Sequence, residues 1–160
     1  MARHLVIYAF IFFLASCASS GGGSGNYIYA ISKGDKFVLK KDINISARKA
    51  HVILQDGKIE NYANIDKYAP FCRFEVNTKG EQTIKPATFT VTKVEQQQPE
   101  VLPRVYNYVV KYYLTAANNP NIRSLACGAW GSGTDRYLTF PQMQQALGSY
   151  FEIPVPKQQQ

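Results

Sequence analysis

The chain predicts a mainly β fold, an antiparallel sandwich or open barrel completed by one C-terminal α-helix. Three observations lead there. Asp56-Gly57 separates two apolar runs, residues 71–76 and 105–115 alternate between two faces, and Thr139-x-x-Gln142 with Pro141 opens a short amphipathic segment. Alternation at period two belongs to half-buried strands, whereas a capping pair ahead of a 3.6-residue stripe belongs to a helix start.

From Tyr27 onward the patterning is that of strands, beginning with the short apolar run of residues 36–39. Residues 50–55 and 58–62 flank Asp56-Gly57, and because glycine accepts the positive φ of a tight primed turn, the three together predict a hairpin. In residues 71–76, Cys72, Phe74 and Val76 share one face and Arg73 and Glu75 the other, and residues 77–80 read as a turn. Residues 88–94 are rich in β-branched side chains and turn Phe89 and Val91 inward. Residues 96–99 (Gln-Gln-Gln-Pro) read as an exposed loop. Residues 105–115 form the longest strand, with Tyr106, Tyr108, Val110, Tyr112 and Leu114 on one face. After a turn at 117–121, residues 122–130 return with Cys127, forming a second hairpin and leaving the two strand cysteines separated by most of the sheet. The helix starts at Thr139, buries Met143, Ala146 and Leu147, and stops at Gly148. Phe151 and Ile153 suit a last short strand.

The chain opens differently. Arg3 and His4 precede an apolar run at residues 5–14, and Leu14-Ala15-Ser16 leads into Cys17. Such a run is too short to span a bilayer, which takes roughly 20 residues. A positive head, a short apolar core and a small-residue exit make a secretory signal peptide. Leu14-Ala15-Ser16-Cys17 resembles the lipobox of bacterial lipoproteins. The resemblance implies cleavage before Cys17, a diacylglycerol on its thiol and a further acyl chain, such as palmitate, on the freed amine. The chain then divides into a signal peptide (1–16), a lipidated cysteine with a flexible Gly/Ser tether (17–26), a β-rich domain (27–153) and a loose tail (154–160). Ala18 after the lipidated cysteine, where aspartate favours inner-membrane retention, implies an anchor on the periplasmic face of the outer membrane. The pattern Tyr68-x-Pro70-x-Cys72, Phe74-Glu75-Val76, Phe89-x-Val91 and Leu125-x-Cys127-Gly128 resembles that of small envelope lipoproteins of proteobacteria with two cysteines in β-rich domains. That resemblance names no activity.

Loss of the leader leaves 144 of the 160 residues, enough for one domain with its own core. Basic residues number 18 against 11 acidic ones, a balance of +7 that becomes about +6 without Arg3. It favours anionic surfaces such as phospholipid headgroups, acidic glycans or acidic proteins, and export makes nucleic acid an unsuitable partner. With Cys17 claimed by lipid, Cys72 and Cys127 remain in an oxidising compartment and are expected to pair. A metal site and two free buried thiols are the rival readings. His51 is the single histidine after the leader, and no Gly-x-Ser-x-Gly elbow is present. No catalytic residue, no metal and no cofactor beyond the covalent lipid is therefore expected, although carboxylate pairs distant in sequence stay open. Tyrosine is abundant, at 11 residues. Trp130, Asp135, Arg136 and Tyr137, around Gly131-Ser132-Gly133-Thr134, form a candidate binding surface. The leading expectation is a non-catalytic envelope lipoprotein, a scaffold or accessory subunit presenting its β-domain to periplasmic partners. The alternative is a binding module for an envelope glycan or anionic lipid.

Overall fold

In the computed structural model residues 27–154 are described; the leader, Cys17, the tether and the tail from residue 155 lie outside them. Among the described residues, eleven strands and one α-helix follow a 3-10 turn at Ile28–Ala30. β1 (Lys36–Leu39), β7 (Ala87–Gln97), β9 (Val105–Thr115), β10 (Ile122–Ser132), β5 (Phe71–Val76), β3 (His51–Gln55) and β4 (Lys58–Glu60) run side by side in that order, with β11 (Phe151–Glu152) on the outer edge of β1. β8 (Glu100–Leu102) continues the β7 side of β9, and β2 (Ile43–Ile45) pairs separately with β6 (Gln82–Ile84). Every pairing is antiparallel.

The α-helix of the described residues reaches both sides of a curled sheet. Eight strands spaced ~4.8 Å apart would span roughly 34 Å if flat. Yet α1 (Phe140–Leu147), only ~12 Å long, packs against β11 at one end of the order and against β3 and β5 near the other. The result is a half-barrel, the open-barrel form of the expected fold. Its concave side holds the core: Phe74, Phe89 and Phe151 meet with ring centroids 5.7 to 6.3 Å apart, over Met143, Ala146 and Leu147 of the helix. α1 begins as its sequence requires, with Gln142 Oε1 accepting the Thr139 backbone N–H at 2.8 Å.

The hairpin turn and the helix end fit into one another. Asp56 and Gly57 both take positive φ (50° and 69°), as the primed turn demands. Gly57 donates its N–H to the Ala146 carbonyl at 3.1 Å, and Gly148 (φ 55°) lies against the Gly57 backbone with no space for a Cβ. Two glycines thus let the end of α1 and the β3–β4 turn meet backbone to backbone at this seam.

Two expectations are corrected. Gln96 and Gln97 are not loop: β7 runs through them, because β9 offers continuous partners as far as Gln97↔Val109. Cys72 and Cys127 are not far apart in the sheet. β5 and β10 are neighbours, the cysteines face each other in register with Cα atoms 4.1 Å apart, and their sulfurs lie 2.10 Å apart. The bridge pins one strand pair rather than two layers.

Candidate binding groove

Alternation across β9 and β10 decides which side each aromatic takes. Cross-strand partners share a face, so Tyr108 with Ala129 lies on the concave side and Asn107 with Trp130 on the convex side. Trp130 is therefore separated from Tyr137. Its ring meets Tyr68 edge-on at 5.9 Å, and Lys67 Nζ lies 5.5 Å above it and 5.0 Å above Tyr62. These partners belong to the 61–70 segment, which is tied to the convex face over Ile53, Ile65 and Phe71. The Gln55 side chain holds it, donating to the Asp66 carbonyl and accepting the Asp66 N–H. The result is an aromatic ridge, with Tyr62 and Tyr68 more than half exposed.

Asp135, Arg136 and Tyr137 line a groove of about 410 Å³. Its aromatic wall was hidden from sequence reasoning, because Tyr27 and Tyr29 stand in a segment without periodicity. The segment is fixed by three contacts. Tyr27 bridges to Thr139, Ile28 donates its N–H to the Leu138 carbonyl at 2.9 Å, and the buried Tyr112 hydroxyl donates to the Ile28 carbonyl at 2.7 Å. Burial keeps that phenol protonated by pushing its pKa far above the ordinary 10.0.

The tyrosines form one connected row. Tyr27 and Tyr29 stack 5.4 Å apart with planes inclined by 10°. Tyr29 meets Tyr137 edge-on at 6.0 Å, and Tyr137 meets Tyr108 edge-on at 5.8 Å. Tyr106, half-buried, touches Tyr108 beyond. Gln96 and Gln98, which carry primary amides, also line the groove. The 132–135 turn supplies the rim: Tyr108 donates its hydroxyl to the Ser132 carbonyl, and the Asp135 carboxylate accepts the Ser132 N–H.

The groove's polar groups are mostly unused. Among the described residues, the tyrosine hydroxyls bonded within the protein are those of Tyr108, Tyr112 and Tyr113; Tyr27, Tyr29 and Tyr137 keep theirs without a partner. Burial and the neighbouring Tyr108 raise the Tyr137 pKa, so this hydroxyl remains a donor at neutral pH. Concave aromatic area, unpaired hydroxyls and primary amides together suit a ligand that is itself apolar on one face and hydroxylated at its edges.

His51 lies elsewhere, on the convex side beside a pocket of about 260 Å³ that Lys49, Asn61 and Tyr62 also line. Its Nδ1 faces the Arg73 guanidinium at 3.3 Å. Burial and that guanidinium lower its pKa below 6.5, favouring neutral imidazole. Next to it Glu75 gathers Lys111 at 3.0 Å, Ser124 at 2.8 Å and Arg73 at 3.2 Å. Burial pushes the Glu75 pKa up, but the hydrogen bonds from Lys111 and Ser124 and the nearby cations outweigh it and hold it below the ordinary 4.5. Among the described residues no group of three or more His, Cys, Asp or Glu side chains is placed to hold a metal ion. No family model, no curated protein and no solved structure matches the chain, so the reading of the groove stands on its own chemistry.

Proposed function

We propose that this protein is a non-catalytic envelope lipoprotein, anchored through Cys17 at the periplasmic face of the outer membrane, whose groove holds a saccharide segment of an envelope glycan. One observation carries the reading: a stacked tyrosine pair in a concave site where the hydroxyls of Tyr27, Tyr29 and Tyr137 have no partner among the described residues. A sugar ring presents a C–H face to aromatic rings and hydroxyls to such a rim. The volume sits at the small end of the ~300–1,000 Å³ range of ligand clefts, which suits one or two rings.

Calorimetric titration of the full chain in detergent with a disaccharide such as cellobiose tests it. Tyr27→Ala/Tyr29→Ala weakens binding by about tenfold or more, the ~1.4 kcal/mol scale of an aromatic contact, while Trp130→Ala leaves it unchanged. The reverse pattern, or no binding of cellobiose, of its acidic counterpart or of a phosphorylated glycolipid, overturns the reading. The anchor is tested by membrane fractionation of Cys17→Ala, which should release the protein; unchanged fractionation rejects it.

The second reading, a scaffold or accessory subunit for a periplasmic protein, is supported by the exposed Tyr62–Lys67–Trp130–Tyr68 ridge. Trp and Tyr are the side chains on which protein interfaces most often concentrate their energy.

A further inference from the structure

We infer that the saccharide held in the groove is anionic, with Arg136 receiving its carboxylate or phosphate while the Tyr27–Tyr29 pair supports the ring. This rests on the groove being a saccharide site. The two charged side chains on its rim are not equivalent. Asp135 is engaged: its carboxylate accepts the Ser132 N–H and lies against Gly131, in space that a Cβ there would occupy. That contact closes the 132–135 turn and directs the carboxylate at the backbone. Arg136 follows immediately, is exposed, and takes no part in the ion pairs of the described residues, whose cations are Lys40, Arg73, Lys85, Lys93, Lys111 and Arg123.

Every other polar group at the groove is neutral, whether the amides of Gln96 and Gln98 or the tyrosine hydroxyls. The rim therefore carries one cation and one anion, of which the carboxylate is turned to the Ser132 N–H while the guanidinium, beside the ring-binding platform, has no ion-pair partner among the described residues. A guanidinium is a planar fork that meets carboxylate or phosphate oxygens with two parallel hydrogen bonds, and charge-assisted bonds are roughly twice as strong as neutral ones. A neutral sugar gains nothing from Arg136 beyond an ordinary hydrogen bond. The positive balance of the whole chain steers in the same direction.

The same anion could come from a soluble acidic glycan or from the phosphorylated sugar head of a glycolipid, and the test separates them. The full chain in detergent is titrated with cellobiose, with cellobiouronic acid (identical except for one carboxylate) and with mixed micelles carrying a phosphorylated diglucosamine lipid. The acidic disaccharide is expected to bind about tenfold more tightly than cellobiose at low salt, as one charge-assisted contact in an open site supplies. The preference should shrink at 1 M salt, where screening acts within about 3 Å. Arg136→Gln should abolish the preference, leaving the acidic and the neutral disaccharide with equal affinity. Arg136-dependent binding of the micelles but not of the soluble acid supports the inference and assigns the anion to a glycolipid. Equal affinities for the two disaccharides without Arg136-dependent micelle binding, or a preference that survives Arg136→Gln, overturn the inference and leave the saccharide reading intact. No binding of any of the three overturns both.

Discussion

Removing the Cys72–Cys127 bridge should cost the domain much of its stability through the unfolded chain. The two cysteines are 55 residues apart in sequence, and both side chains are fully buried. Closing a loop of that length restricts the denatured ensemble by about 4 kcal/mol on the chain-entropy model. In the folded state the bond joins residues already in register on paired strands, so its loss leaves the hydrogen-bonded ladder in place. The double variant Cys72→Ala/Cys127→Ala avoids a lone buried thiol. Against a total of roughly 5–15 kcal/mol, a loss of about 4 is large. It corresponds to a fall in Tm of roughly 12–20 °C for a domain of this size. Urea unfolding followed by circular dichroism gives a second signature: the midpoint falls and the slope rises, because the unlinked denatured chain exposes more surface. A loss under about 1 kcal/mol with an unchanged slope would refute the entropic reasoning.

Other perturbations reach different parts of the fold. Gly148→Ala puts a Cβ into the Gly57 backbone at positive φ and should destabilise by roughly 2–3 kcal/mol, read from the urea midpoint; a neutral result would mean that the seam can open freely. Tyr112→Phe removes the donor to the Ile28 carbonyl, costing about 1–2 kcal/mol and speeding hydrogen exchange at residues 28–31; unchanged exchange there would contradict its anchoring role. Glu75 has a folded pKa below the ordinary 4.5, so its stabilising effect is complete above that value and is lost as pH falls through the depressed one. Urea midpoints of wild type and Glu75→Gln should differ at pH 7 and converge in acid; parallel curves would reject the assignment.

The elements with local signals were legible in the sequence. The Asp56-Gly57 turn, the alternating 71–76 and 105–115 strands and the Thr139–Gln142 box each carry their reason within a few residues, and the structure places all of them as expected. The misses came from long-range pairing. Gln96 and Gln97 have weak strand preference of their own and are drawn into β7 by β9. No local feature of residues 72 or 127 says that β5 and β10 are neighbours. Trp130 carries its signal in the strand: counting alternately from buried Cys127 puts it outward, on the face away from Tyr108. Tyr27 and Tyr29 had no such signal, because a 3-10 turn held by Tyr112 from 84 residues away leaves no periodic trace.

The groove reading is tested most directly by mapping backbone amide shifts of the full chain in detergent as an acidic disaccharide is added. Shifts concentrated at residues 27–29, 96–98 and 133–137, and lost in Tyr27→Ala/Tyr29→Ala, are the predicted result. Shifts centred on residues 62–68 and 130, or none at saturating sugar, would contradict it and turn attention to the convex ridge.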